Sequence, residues 1–218
     1  MSSAPRWCLR TPRHPLVMAQ QAATTNAASG GRFTLGIGLS HKPIIEGMFG
    51  MSYEHPARHM KEYLEVLAPA LRNEKVDYQG KLYGAHGQIQ CRSRSPCPLV
   101  VAALGERMLE LAGTHADGTI TWMTGPKTLE EHIIPKIRAA ATRAGRPEPR
   151  IVAGVPTAIV TDLMLPGRAS TRGMAMYGKL ASHRGMLDRE GAGGLPASPW
   201  WGMKRICGSR FSACGISA

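Results

Sequence analysis

CPLVVAALGERMLELAGTHADGTITWMTGP, residues 97–126, is the stretch whose reading decides the fold. It opens on CPLVVAAL (97–104), a near-continuous apolar run of the kind a strand buried on both faces of a parallel sheet requires. Gly105 to Ala116 then carries helical spacing, and Gly118 to Met123 (GTITWM) returns to a short, β-branched strand. Strand, helix and strand in such quick succession form a βαβ unit. Its two strands run parallel, because only a crossover connection can join parallel strands.

The same alternation extends outward in both directions. FTLGIGL (33–39) reads as a short apolar strand whose Gly36 and Gly38 admit close approach of backbone or ligand. Before it, residues 15–29 read as a helix with Pro15 in its first turn, Leu16, Ala19, Gln20 and Ala23 sharing a face at helical spacing, and Gly30 and Gly31 as its end. Pro56 to Arg72 is a strongly amphipathic helix with Met60, Tyr63, Leu64, Leu67 and Leu71 as its stripe. Residues 76–91 alternate and turn at glycines, which predicts a β-hairpin. On the other side, Lys127 to Ala144 predicts a helix closed by Gly145 and Pro147, RIVAGVPTAIV (150–160) a buried strand, and Met174 to Glu190 another helix. Strands alternating with helices place the chain in the α/β class with a parallel sheet.

Charge and cysteine content narrow the function classes. The formal net charge is +12, which taken alone suits a basic nucleic-acid-binding protein. Seven of the cations, however, sit in 1–12, 163–173 and 194–218, which contain no acid, so the rest of the chain carries only +5 of the +12. No nucleic-acid module is recognisable in the residues between, and no nucleic-acid partner is expected. The five cysteines (Cys8, Cys91, Cys97, Cys207, Cys214) fit no zinc spacing, and His55, Arg58 and His59 lack a third metal ligand, so no metal is expected. No apolar run is long enough to span a membrane, and MSSAPRWCLRTPRHP lacks the apolar core of a secretory signal; a cytoplasmic protein is the expectation.

Three segments together resemble a known superfamily: 12–41 (PRHPLVMAQQAATTNAASGGRFTLGIGLSH), 47–71 (GMFGMSYEHPARHMKEYLEVLAPAL) and 97–126. They resemble the luciferase-like monooxygenases, and within them the branch that uses the deazaflavin coenzyme F420. The resemblance implies a (β/α)₈ TIM barrel with the cofactor over the C-terminal ends of its strands. It also implies an oxidoreductase acting on a small-molecule substrate, by hydride transfer with coenzyme F420 or, alternatively, as an FMN-dependent monooxygenase. Together with the long 56–72 helix it points to a homodimer.

Two segments stand where the resemblance puts the cofactor. Gly38, Leu39, Ser40 and His41 follow the FTLGI strand, and Ala103, Leu104, Gly105 and Glu106 join the VVA strand to its helix. The second has an independent rationale, since small residues before a helix leave free N–H groups and the positive end of the helix dipole for a phosphate. Glu106 is the awkward member of that set, being acidic. His41 is the candidate acid–base group. Arg13 and His14 follow the place where a third barrel strand should end.

The resemblance covers roughly 12–162 and again 174–193, and 12–193 is read as one partial barrel domain with about four in-frame strands; residues 1–11 and 194–218 read as irregular ends. Both ends, and 162–173, look like coding sequence in the wrong frame. Back-translation with a two-nucleotide shift permits VLGTAVVPT for Met1–Arg10, PDAARARVDA for Asp162–Arg172 and VALVGDE for Ala197–Lys204, each matching the element that a barrel needs there. An incomplete barrel leaves sheet edges uncovered, so a poorly stable chain is expected, with its activity reduced or lost.

Overall fold

The computed structural model describes residues 6–9, 13–90, 95–154 and 177–191. They fall in two compact units, one from Met1–Ile120 with Ile137–Arg150, the other from Thr121–Lys136 with Ile151–Ala218.

The first unit is built on parallel strands: β1 (Arg6–Leu9), β2 (Leu35–Gly38), β5 (Leu99–Ala102) and the starts of β6 (Gly118–Trp122) and β7 (Arg150–Gly154), in the order β1-β2-β5-β6-β7. Ile37 pairs with Val101, and Val101 with Thr119. Side chains alternate across a strand, so Leu35, Ile37, Leu99, Val101 and Thr119 share one face, and all are buried. The opposite face carries Gly36 and Val100 and then, at the strand ends, Gly38, Ala102 and Ile120. It is therefore narrow in side-chain bulk where the strands finish.

Two helices supply a large share of the core. In α3 (Pro56–Leu71) the predicted stripe of Met60, Tyr63, Leu64, Leu67 and Leu71 is buried, and Val66 with it. It packs against α1 (Pro15–Ala28). There the sequence expectation is corrected: Met18, Ala19, Ala22, Ala23 and Asn26 are inside, whereas Gln20 is exposed and Leu16 only half-buried. Alanines lie on almost every side of this helix, so its apolar pattern hardly marks a face, and packing decided which one approaches α3. Asn26 is fully buried and donates through Nδ2 to the Ser95 carbonyl at 3.0 Å. Gly30 and Gly31 close α1 with φ of 66° and 84°, Gly31 N–H reaching back to the Asn26 carbonyl at 2.8 Å.

The predicted hairpin is present as β3 (Val76–Gln79) paired antiparallel with β4 (Gly84–Gly87). Its turn is anchored from α3: Glu62, only 6% exposed, accepts from Leu82 N–H at 2.7 Å and Tyr83 N–H at 3.3 Å. A Cβ at Gly80 would lie 2.4 Å from the Glu62 carboxylate, so a larger residue there would have to displace that carboxylate from the turn. At the starts of the strands, Asp117 is a clamp. Its Oδ2 accepts from Leu99 N–H at 2.8 Å, its Oδ1 from Arg146 at 2.9 Å, and its backbone carbonyl from Arg150 N–H at 2.9 Å. Helix α4 (Glu106–His115) lies so close to the helix carrying Ile137 and Ala140 that a Cβ at Gly113 would be 2.6 Å from the Ile137 carbonyl.

The second unit holds the ends of β6 and β7, where Met123 N–H donates to the Gly154 carbonyl at 3.0 Å. After β6 the chain forms α5 (Pro126–Thr128), a π-turn (Leu129–Ile133) and α6 (Ile134–Arg143), which passes into the first unit. Glu190, just after α7 (Ala181–Arg189), accepts from Thr128 N–H at 2.6 Å, and Thr128 Oγ1 donates to the Met186 carbonyl at 3.3 Å.

Three further differences from the sequence expectation stand out. Residues 6–9 form an edge strand where an irregular end was expected, which gives five parallel strands instead of about four. Backbone pairing with β2, Trp7 opposite Gly36 and Leu9 opposite Gly38, is all that an edge position requires. A short helix, α2 (Lys42–Gly47), was not foreseen, being too short to show a period. The helix expected from Met174 is confined, among the described residues, to a 3₁₀ turn (Tyr177–Lys179) and α7. The expectations for 155–160, 162–173 and 194–218 lie outside the described residues.

Candidate functional site

Because β2 and β5 are parallel neighbours, the two predicted segments emerge side by side at the same edge of the sheet. The first is held in an unusual shape. Ser40 has φ of 58°, a left-handed conformation that costs a non-glycine residue about 1 kcal/mol or more. Tyr53, in the loop ahead of α3, stabilises it by donating its hydroxyl hydrogen to the Ser40 carbonyl at 3.0 Å. Tyr53 was not visible as a site residue in the sequence. Its role depends on a contact across a loop, and no motif or period marks it.

His41 follows in extended conformation and stands at the N-terminus of α2 without capping it. It is half-buried, and burial lowers its pKa below the usual 6.5. At neutral pH the ring is therefore uncharged, with one nitrogen able to donate and the other to accept. Leu39 is half-buried and Gly38 buried.

In the second segment Ala103 is buried, Leu104 half-buried and Gly105 exposed. Gly105 is the N-cap of α4 and has no side chain to satisfy the first amides; its carbonyl accepts from Met108 and Leu109. No side chain caps this helix start, where the positive end of the helix dipole lies. Glu106 lines a groove on the α3 side, together with Lys61 and Arg107. Gly36, Gly38 and Ala102 put little side-chain bulk at the ends of β2 and β5, and the start of α4 suits a phosphate. The residues present therefore fit a phosphate-bearing ring cofactor of the flavin or deazaflavin kind.

His14, His55 and His59 lie away from these two segments. His14 caps α1, its Nδ1 accepting from Leu16 N–H at 3.3 Å while Nε2 lies 3.2 Å from the Gly84 carbonyl. His59 Nδ1 is 3.1 Å from the Tyr83 hydroxyl, and His55 is exposed in a left-handed turn with φ of 47°. Arg13 is exposed at the entrance to α1. Among the described residues no group of His, Cys, Asp and Glu is arranged to hold a metal ion. Cys97 is buried, and burial pushes its thiol pKa up to about 11, which makes it a poor nucleophile.

The sequence model of the luciferase-like monooxygenase family matches residues 8–164. An uncharacterized protein of Mycobacterium tuberculosis is 27% identical over 198 residues, covering 84% of this chain and 58% of its own length. Among solved structures, the coenzyme F420 dependent tetrahydromethanopterin reductase from Methanopyrus kandleri is 28% identical with a TM-score of 0.68, covering 88% of this chain and 60% of that one. The oxygenating constituent of 3,6-diketocamphane monooxygenase from Pseudomonas putida, in complex with FMN, is 16% identical with a TM-score of 0.59, covering 82% and 57%, and so shares the fold. The chain spans between 35% and 58% of the length of the curated relatives it matches. The match over most of the sequence and the shared parallel βα architecture lead to one conclusion: this chain belongs to the luciferase-like monooxygenase family and has the fold of an incomplete (β/α)₈ barrel.

Proposed function

We propose that the chain binds coenzyme F420 across the ends of β2 and β5 and acts as an oxidoreductase on a small organic substrate. The observation that carries this reading is the juxtaposition, on adjacent parallel strands, of the Ser40–His41 loop and the N-terminus of α4 at Gly105, which has no side-chain cap. The likeness to an F420-dependent reductase supports the choice of cofactor.

In this reading the bound deazaflavin supplies the hydride chemistry. The protein's part is to hold and orient. The N-terminal end of α4 holds the phosphate through the positive end of the helix dipole. The glycine and alanine row leaves a flat seat for the ring. Neutral His41 offers a hydrogen bond to ring or substrate without placing a charge beside either. Tyr53 keeps the Ser40 turn in place, so that the seat needs no rearrangement on binding. A homodimer located in the cytoplasm is part of the proposal.

A fluorescence titration of the whole chain with F420 tests it. Saturable quenching is expected, with Tyr53→Phe and His41→Ala weakening it roughly three- to thirtyfold, the worth of about one lost hydrogen bond. Absence of saturation overturns the reading. FMN is the second candidate, because an FMN-bound enzyme shares the fold, and tighter binding of FMN than of F420 in the same titration decides for it. A salt-sensitive DNA complex without any cofactor binding would favour a basic nucleic-acid-binding protein instead.

A further inference from the structure

We propose that the groove between α3, the β3–β4 hairpin and α4 is a second binding site, for a small organic molecule that bears two or more negative charges. The proposal does not rest on the cofactor reading. The groove is open to solvent along its length and offers about 850 Å³, within the size range of small-ligand sites.

Four exposed cations line it, of which Lys61 pairs with Glu65; the other three come one from each element: Arg58 from α3, Lys81 from the hairpin turn and Arg107 from α4. Among the described residues none of the three side chains makes an ion pair or hydrogen bond. On an ordinary solvated helix face such cations meet acids three or four positions away, as Lys61 meets Glu65 at 3.7 Å. Here those partners are taken. Glu62, four residues after Arg58, also lines the groove, but its carboxylate accepts the Leu82 and Tyr83 amides and makes no ion pair with Arg58. Glu110, three residues after Arg107, pairs with Arg143. Glu65 accepts the Tyr78 hydroxyl hydrogen at 2.7 Å, and Glu106 is also engaged within the chain.

The acids of the groove are thus pinned by the fold, whereas the three cations keep their donors for something outside it. Two guanidinium groups can each grip an oxyanion bidentately, and the ammonium adds a mobile point charge. Between them, Tyr78, Ala57 and Leu111 give carbon surface for the organic part of the ligand. The chemistry recognised is that of a phosphate ester or a di- or tricarboxylate on a small apolar body.

Isothermal titration of the whole chain with ADP and with tripolyphosphate, at low ionic strength, tests the site, with adenosine as the uncharged control. Saturable binding of ADP and tripolyphosphate is expected, with none of adenosine. Arg58→Gln, Lys81→Gln and Arg107→Gln should each weaken it about five- to twentyfold, and Lys75→Gln, an exposed cation outside the groove, should not. Thermal melts of all four variants should match the parent. Failure of both anions to saturate overturns the proposal. So does unchanged affinity in the triple variant, which would place the anion elsewhere, at the Gly105 amides for example. A change of sedimentation mass in the triple variant with unchanged anion binding would make the groove a self-association face, and likewise overturns it.

Discussion

At the scale of single residues, a few polar side chains fix geometry that apolar packing leaves free. Glu62 defines the hairpin turn, Tyr53 the Ser40 turn and Asp117 the register at the starts of β5, β6 and β7. Asp117 is the most exposed to test. Replacement by alanine leaves Leu99 N–H without its carboxylate acceptor and Arg146 without its partner. Asp117→Ala is expected to cost about 2 kcal/mol, read as a lower urea midpoint, with Asp117→Asn recovering part of the loss. An unchanged midpoint would mean that backbone pairing alone holds this edge. None of these three roles was legible in the sequence, because each side chain acts on a partner at least 13 residues away. The Gly105 turn was legible, since a glycine between an apolar strand and an amphipathic helix has few other uses.

At the scale of elements, legibility followed the strength of the pattern. Helix α3 carries bulky apolar residues at helical spacing among charges, and its buried face is the predicted one. Helix α1 is alanine-rich, and its inner face was set by what α3 could accept. Small residues also decide how near α4 comes to its neighbour. Gly113 stands where a methyl group would meet the Ala140 side chain and the Ile137 carbonyl, both at 2.6 Å. Alanine is the better helix former by about 1 kcal/mol, yet Gly113→Ala is expected to destabilise by about 1–3 kcal/mol because backbone, not a flexible side chain, must move. A raised melting temperature in this variant would show that the two helices separate easily. The groove cations illustrate the opposite case. Arg58 and Arg107 look like solvated helix residues in the sequence, and only the diversion of Glu62 and Glu110 leaves them without partners.

At the scale of the whole molecule, charge and protonation bear on stability. His41 and His115 both have pKa values lowered by burial, with Glu65 acting in the opposite sense on His115. In the unfolded chain each titrates near ~6.5. The folded state therefore prefers both rings neutral. Their contribution is fully present above that value and is lost as pH falls through the lower folded values. Melting temperature is expected to drop on acidification from about pH 7 to about pH 5, and His41→Gln with His115→Gln should flatten that slope. An equally steep slope in the double variant would assign it to the carboxylates or to general repulsion in a chain of net charge +12. The sequence by itself determined the α/β class, the parallel strands, the hairpin and the loops that end β2 and β5, because apolar periodicity and glycine placement are local consequences of burial and of backbone freedom. Only the tertiary structure decided that Arg6–Leu9 pairs as a strand, that Tyr53 holds Ser40, that Glu106 lines the outer groove and that three cations there are left unpaired. Those outcomes depend on which distant groups compete for the same hydrogen-bond and charge partners, and no local pattern encodes that competition.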